Sequence, residues 1–131
     1  MTELKVLVYG TLRKGEGNFR LMPAKNGNFK TVDLIGFRMH HLGGFPGVIR
    51  GTEKDKTIAE LWTLKFDSKE EHDYCLQRLD HLEGHPNFYR REIVKTADGD
   101  EGWMYIFQGN VKGCPVLTDW VKEKNIISRY H

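Results

Sequence analysis

The sequence predicts one α+β domain, residues 1–131, whose sheet curls toward a barrel beside a single clear helix. Three observations lead there. Short apolar runs rich in β-branched residues recur along most of the chain, separated by glycines, prolines and charged clusters. Only one stretch has helical periodicity with a start and a stop signal. No regular β–α–β alternation is present, which argues against a doubly wound parallel sheet.

The first run, Lys5-Val6-Leu7-Val8-Tyr9, is apolar on both alternations and reads as a strand covered on both faces. Residues 13–31 are polar and dotted with glycine, with one helical turn expected around Phe19, Leu21 and Met22. Strands are expected over residues 31–39, 46–50 and 57–66. The helix is "DSKEEHDYCLQRLDHLEG". Ser68 and Glu71 have capping-box spacing, while Cys75, Leu76, Leu79 and Leu82 share one face. Gly84 is the natural residue beyond its end, and Pro86 prevents continuation. Strands follow at 89–96 and 102–107, joined by the turn Ala97-Asp98-Gly99-Asp100. A short helix around Leu117, Trp120 and Val121 is expected near the end. The default place for Trp62, Trp103, Tyr105 and Phe107 is the core.

A chain of 131 residues can bury its own core. Its 20 basic and 18 acidic residues leave a net charge of +2, too balanced to make a case for nucleic acid. No run approaches the roughly 18 apolar residues of a membrane span, and the start of the chain lacks the pattern of a signal peptide. Cys75 and Cys114 form no CxxC pair, and two free thiols suit a reducing cytoplasm better than one disulfide does. The expected location is therefore cytoplasmic; oligomeric state is open.

Two places invite a chemical reading. The first is Tyr9-Gly10-Thr11-Leu12, where a buried strand breaks into a glycine turn. A glycine there permits positive φ and close approach of a ligand to the backbone, and successive free N–H groups can form an anion-binding nest. Phosphate motifs fail in detail. Gly10 and Gly15 have P-loop spacing, but Glu16 stands at the lysine position, and Gly15-Glu16-Gly17 lacks the third glycine. Taken alone, a structural turn is the plainer reading. The second place is Glu83, at the negative end of the helix dipole with Asp80 one turn earlier. Both effects, together with burial beside Leu79 and Leu82, raise its expected pKa. The plainer alternative is a solvated glutamate, or one paired with Arg90 or Arg91. The histidine pairs His40-His41 and His81/His85 lack metal-ligand spacing, and no Ser or Cys has a nucleophile signature.

Together "VYGTLRKGEGN", "FPGVIRG", "AELWTL", "LDHLEGHPNFYRRE" and "WMYIF" resemble the gamma-glutamylcyclotransferase superfamily, most closely its gamma-glutamylamine cyclotransferase (AIG2-like) branch. The segments follow family order and spacing over about residues 5–107. Tyr-Gly-Thr-Leu after a first strand, and Leu-Asp-x-x-Glu-Gly with a following Tyr-x-Arg, are specific in combination. The resemblance implies a small mixed β-barrel with flanking helices. It implies that Tyr9, Gly10, Thr11 and Leu12 bind substrate, that Glu83 is the general acid/base, and that Tyr89 and Tyr105 line the pocket. The implied reaction releases 5-oxoproline and a free amine from a gamma-glutamyl amide, with no metal or other cofactor. Alternatives within that resemblance are a cyclotransferase for gamma-glutamyl amino acids, glutathione or a protected metabolite, and a non-catalytic module that binds a small ligand. The tail beyond about residue 110 carries no matching motif.

Overall fold

The computed structural model describes residues 2–128. Eight strands and two α-helices follow the chain: β1 (Thr2–Val8), β2 (Gly27–Ile35), β3 (Phe37–His41), β4 (Pro46–Arg50), β5 (Lys56–Phe66), α1 (Lys69–Glu83), β6 (Tyr89–Lys95), β7 (Glu101–Phe107), β8 (Val116–Leu117) and α2 (Trp120–Ser128). A 3-10 turn at Phe19–Leu21 occupies the place where one helical turn was expected, and a second follows at Ala24–Asn26. The larger sheet has the order β2-β5-β1-β7-β6 and the smaller one β4-β3-β8. The pairing of β1 with β7 is parallel, and every other ladder is antiparallel.

The α+β class and the flanking helices are as the sequence implied, but the sheet is not a closed barrel. Its ladder ends openly at β2 and β6, with the smaller sheet set against it. The cause lies at Gly36, whose φ of 90° turns the chain in the middle of what the sequence presents as one strand, 31–39. The segment before it stays in the larger sheet, and β3 leaves for the smaller one. Leu7, Leu34, Leu61 and Met104 from the first sheet then meet Phe37, Met39, Val48 and Leu117 from the second in one core. Enclosure comes from side-chain packing between two sheets rather than from a continuous ladder.

β1 is covered on both faces, as its sequence requires. Leu7 and Tyr9 face the core between the sheets, whereas Leu4, Val6 and Val8 face a second core with Leu79 of α1. The helix begins at Ser68, whose Oγ accepts the Glu71 N–H at 3.2 Å. It ends in a Schellman motif: Gly84 is left-handed at φ 66°, its N–H donates to His81 O (3.2 Å), and the His85 N–H donates to Asp80 O (2.9 Å). Leu79 is the buried residue of this helix, with Cys75 and Leu76 partly covered. Leu82 departs from expectation. It is 40% exposed, because the last turn overhangs an open groove of about 880 Å³ lined also by Leu21, Met22, Phe66 and Tyr74.

Gly10 also departs from expectation, since it is not among the glycines with positive φ. A Cβ at this position would lie 2.5 Å from Pro46 Cγ and 2.8 Å from Pro46 Cδ. The close approach that demands glycine is therefore that of the Pro46 ring at the start of β4. Cys75 and Cys114 are both free thiols, and among the described residues no helix is long and apolar enough to cross a membrane.

Two substitutions test this packing. Gly10→Ala drives a methyl into a rigid proline ring and is expected to lower unfolding free energy by about 1–3 kcal/mol, read by urea denaturation. Leu79→Ala, which empties the contact between α1 and the sheet, is expected to cost about 2–5 kcal/mol in the same assay.

Candidate active site

The end of β1, the start of β4, the end of α1 and the first residues of β6 converge on one patch. Tyr9, the residue after β1, is buried, and its hydroxyl donates to Tyr105 O (2.7 Å) while accepting the Val48 N–H (3.3 Å). Tyr89 opens β6 and donates its hydroxyl proton to Pro46 O (2.7 Å). Tyr105, on β7, donates to Asp80 Oδ1 (2.6 Å). Each phenol thus bonds to a different segment, and the predicted tyrosines fall close together although up to 96 residues separate them.

Glu83 is the last residue of α1. Burial alone pushes its carboxyl up from the usual 4.5 to about 7. Its field in turn reaches Tyr9, Tyr89 and Tyr105. All three phenols are raised chiefly by burial, with the Glu83 charge adding to it. Among the described residues, the Glu83 carboxylate has no hydrogen-bond or ion-pair partner.

Asp80 does not play the part expected of it. Burial would raise its carboxyl, but hydrogen bonds from Arg91 and Tyr105 outweigh that and hold it below the usual range. Arg91 grips it through two bonds, Nε to Oδ1 at 2.8 Å and an Nη to Oδ2 at 3.0 Å. The same guanidinium lies 4.4 Å from the Trp103 ring centroid. Arg90 is occupied by Glu92, to which Arg50 also binds. Both arginines are engaged elsewhere, so neither is paired with Glu83.

The turn after Tyr9 closes when the Arg13 N–H donates to Gly10 O (3.0 Å), and Asn18 N–H donates to Thr11 O (2.9 Å). Among the described hydrogen bonds, the N–H groups of Gly10, Thr11 and Leu12 meet no protein acceptor. No residue here is left-handed, so the arrangement is a helical-type turn with free donors rather than an αR–αL nest. The Leu12 side chain is core, 3% exposed, and Thr11 Oγ1 accepts from Asn18 Nδ2 (2.9 Å). What the loop offers a ligand is its backbone.

The sequence reading overlooked how this loop is held. Arg13 is buried between Glu60 Oε2 (Nε, 3.1 Å) and Asp119 Oδ1 (Nη1, 2.9 Å). Glu60 Oε1 also accepts the Lys14 N–H (3.0 Å) and Trp62 Nε1–H (3.1 Å). Further along, Glu16 Oε1 accepts from Trp120 Nε1 (3.1 Å) and Lys124 Nζ (2.6 Å). The C-terminal segment is therefore the brace of the loop. The available signal was Glu60 itself, a lone carboxylate in the apolar run of β5. The groove beside α1 is not lined by Glu83 or by residues 9–12, so concavity and chemistry do not coincide. Among the described residues, no group of three or more His, Cys, Asp or Glu is placed to hold a metal ion.

The model of the family described as "Gamma-glutamyl cyclotransferase, AIG2-like" matches residues 6–122. A protein of Vibrio cholerae, provisionally named a gamma-glutamylcyclotransferase, is 34% identical over 105 residues, covering 79% of this chain and 81% of that one. The fold recurs in the crystal structure of c4763, a protein specific to uropathogenic E. coli (TM-score 0.73, 24% identity, 95% of this chain and 98% of that one). It recurs also in an AIG2-like protein of Mus musculus (TM-score 0.65, 16% identity, 92% and 89%). The chain belongs to the AIG2-like gamma-glutamyl cyclotransferase family and is an enzyme of the cyclotransferase type.

Proposed function

We propose that the protein converts a gamma-glutamyl amide to 5-oxoproline and a free amine, with Glu83 as the proton-transfer group and the 9–12 turn as the anion cradle. The observation that carries this reading is a mostly buried, unpartnered carboxylate with a pKa of about 7, grouped with tyrosines that adjoin a turn of unused N–H donors.

The reaction needs little machinery, because the substrate contains its own nucleophile. Ionised Glu83 takes a proton from the α-ammonium of the bound gamma-glutamyl group. The freed amine attacks the γ-carbonyl and closes a five-membered ring, passing electrons onto the carbonyl oxygen. The carbonyl re-forms as the old C–N bond breaks and Glu83 returns its proton to the departing nitrogen. The ring nitrogen, which still carries two hydrogens after the attack, gives one up through the same carboxylate to the freed amine, which leaves as an ammonium. Holding the chain folded can be worth up to about 7–11 kcal/mol of barrier. A carboxyl titrating near neutrality serves in both directions. The N–H groups of Gly10, Thr11 and Leu12 are suited to the substrate carboxylate or to the developing oxyanion.

Glu83→Gln keeps the shape and removes proton transfer. It is expected to cut 5-oxoproline release by about 10²–10⁴-fold while the fold survives by circular dichroism. Release at the parent rate would overturn the reading. In the parent enzyme, kcat/KM is expected to rise with pH and level off above about 7, where Glu83 is ionised in the free enzyme.

Stability gives an independent check. Between about pH 4.5 and 7 the folded state keeps a proton that the unfolded chain has released. Parent stability therefore falls as pH rises through that window, by at most about 3 kcal/mol, and is indifferent to this group outside it. Glu83→Gln lacks the effect, so denaturant titrations should show its stability relative to the parent improving from pH 4.5 to 7 and then holding.

A further inference from the structure

Beside the site lies an aromatic surface that the proposed proton transfer does not use. Phe88 is 47% exposed and Phe45 is 37% exposed, large values for phenylalanine. Their ring centroids are 5.9 Å apart, so the turn before β4 meets the loop before β6. Phe88 also packs edge-on against Tyr89 (5.0 Å) and Phe107 (5.4 Å), and Tyr89 lies 5.7 Å from Phe107. The Phe107 ring is seated by two glycines. A Cβ on Gly47 would come within 3.0 Å of it, and one on Gly109 within 2.5 Å. Backbone bonds fix Phe88 as well: its N–H donates to Gly84 O (2.9 Å), and its carbonyl accepts the Gln108 N–H (2.9 Å). The shelf is held in place before any ligand arrives.

This shelf is continuous with both halves of the site. Phe88 immediately precedes Tyr89 and lies against Gly84, the residue after Glu83. Phe45 immediately precedes Pro46, whose ring abuts Gly10 and whose carbonyl accepts the Tyr89 hydroxyl. Segments 42–46, 84–89 and 107–110, which carry the shelf, contain no Asp, Glu, Lys or Arg. Of the two titratable rings among them, His85 accepts the Arg91 N–H at Nδ1 (3.0 Å) and Tyr89 donates its hydroxyl to Pro46 O (2.7 Å). The nearest charges in sequence are Glu83 itself and Arg90, and Arg90 is paired with Glu92.

We propose that the Phe45, Phe88 and Phe107 shelf binds the amine half of the substrate and selects amides whose departing amine is uncharged and aromatic or branched aliphatic. This inference rests on the cyclotransferase reading of Glu83. A departing amino acid would bring a carboxylate to a surface with no cation to receive it, and that desolvation is uncompensated. A diamine would find aromatic faces and, at their edge, one carboxylate, Glu83, which the proposed proton transfer already occupies. An exposed cation–π contact contributes less than covering a whole apolar ring does.

The test is a panel of four gamma-glutamyl amides assayed for 5-oxoproline: ethylamine, phenethylamine, an aliphatic diamine, and lysine joined through its ε-nitrogen. The phenethylamide is expected to exceed each of the other three in kcat/KM by at least about 10-fold. Phe88→Ala and Phe45→Ala should each shrink the ratio of phenethylamide to ethylamide by about 3–10-fold, mainly through KM, with Phe88→Leu restoring much of it. Both residues are exposed, so the variants should fold, which thermal unfolding verifies. A ratio near one, a preference for the diamine or lysine arm, or Phe88→Ala with an unchanged ratio would each overturn the proposal. If no arm yields 5-oxoproline, the cyclotransferase reading has failed instead. The shelf is then judged by calorimetric binding of the phenethylamide, expected to be at least about 10-fold tighter than the ethylamide and to lose that margin in Phe88→Ala; equal affinities would overturn it.

Discussion

The buried guanidinium of Arg13 is the constraint on which the candidate site hangs. It sits between Glu60 of the central sheet and Asp119 before α2, joining the loop after β1 to the middle and the end of the chain. Such a knot is stable only when every oxygen is satisfied. Here Glu60 Oε1 takes two further N–H donors, and Asp119 Oδ1, the atom that holds Arg13, also accepts the N–H groups of Val121 (3.1 Å) and Lys122 (3.4 Å) at the start of α2. Breaking one partner of a buried pair typically costs about 3–5 kcal/mol, because the remaining charge is stranded. Holding Arg13 from two directions fixes the end of the turn that its own N–H closes on Gly10 O.

A second ion pair does for the carboxylate what Arg13 does for the loop. Asp80 and Glu83 sit a turn apart at the same helix end, with Arg90 and Arg91 nearby in sequence. Four charges so close could have cancelled in several ways. The structure commits Arg91 to Asp80 bidentately and Arg90 to Glu92. Glu83 is left with burial and no partner, which is the condition that raises a carboxyl toward neutrality. The local rule that a helix C-terminus favours cations is broken at Glu83 while Asp80 is fully compensated one turn away. That contrast is what the proposed proton-transfer role of Glu83 rests on.

What could be read from the sequence was local. The cap at Ser68, the left-handed Gly84, the strand Pro46–Arg50 and the two-faced burial of β1 each depend on neighbours within a few residues, and each is found. The motif residues Tyr9, Tyr89, Tyr105 and Glu83 are also brought together. The misread features depend on distant partners. Gly36 splits residues 31–39 because a second sheet exists to receive β3, and nothing in the alternation of that run announces it. Leu82 has helical phase for burial, but no sheet lies beneath the last turn. Arg13 finds its partners 47 and 106 residues away. Periodicity in one sequence carries no information at that range.

Gly10 shows how the two levels combine. The residue type was legible and a ligand was expected to approach its backbone; the group found against it is the Pro46 ring. That contact has a consequence for the site. Pro46 O accepts the Tyr89 hydroxyl, and Tyr89 in turn shares an electrostatic environment with Glu83. One proline therefore links the donor turn to the tyrosine beside the acid, through a van der Waals contact on one side and a hydrogen bond on the other. A larger residue at position 10 would push this bridge outward and separate the two halves of the site. The glycine works as a spacer that sets the distance between the 9–12 turn and Glu83, and under the proposed ring closure, which depends on folded substrate geometry, this distance is the quantity that matters.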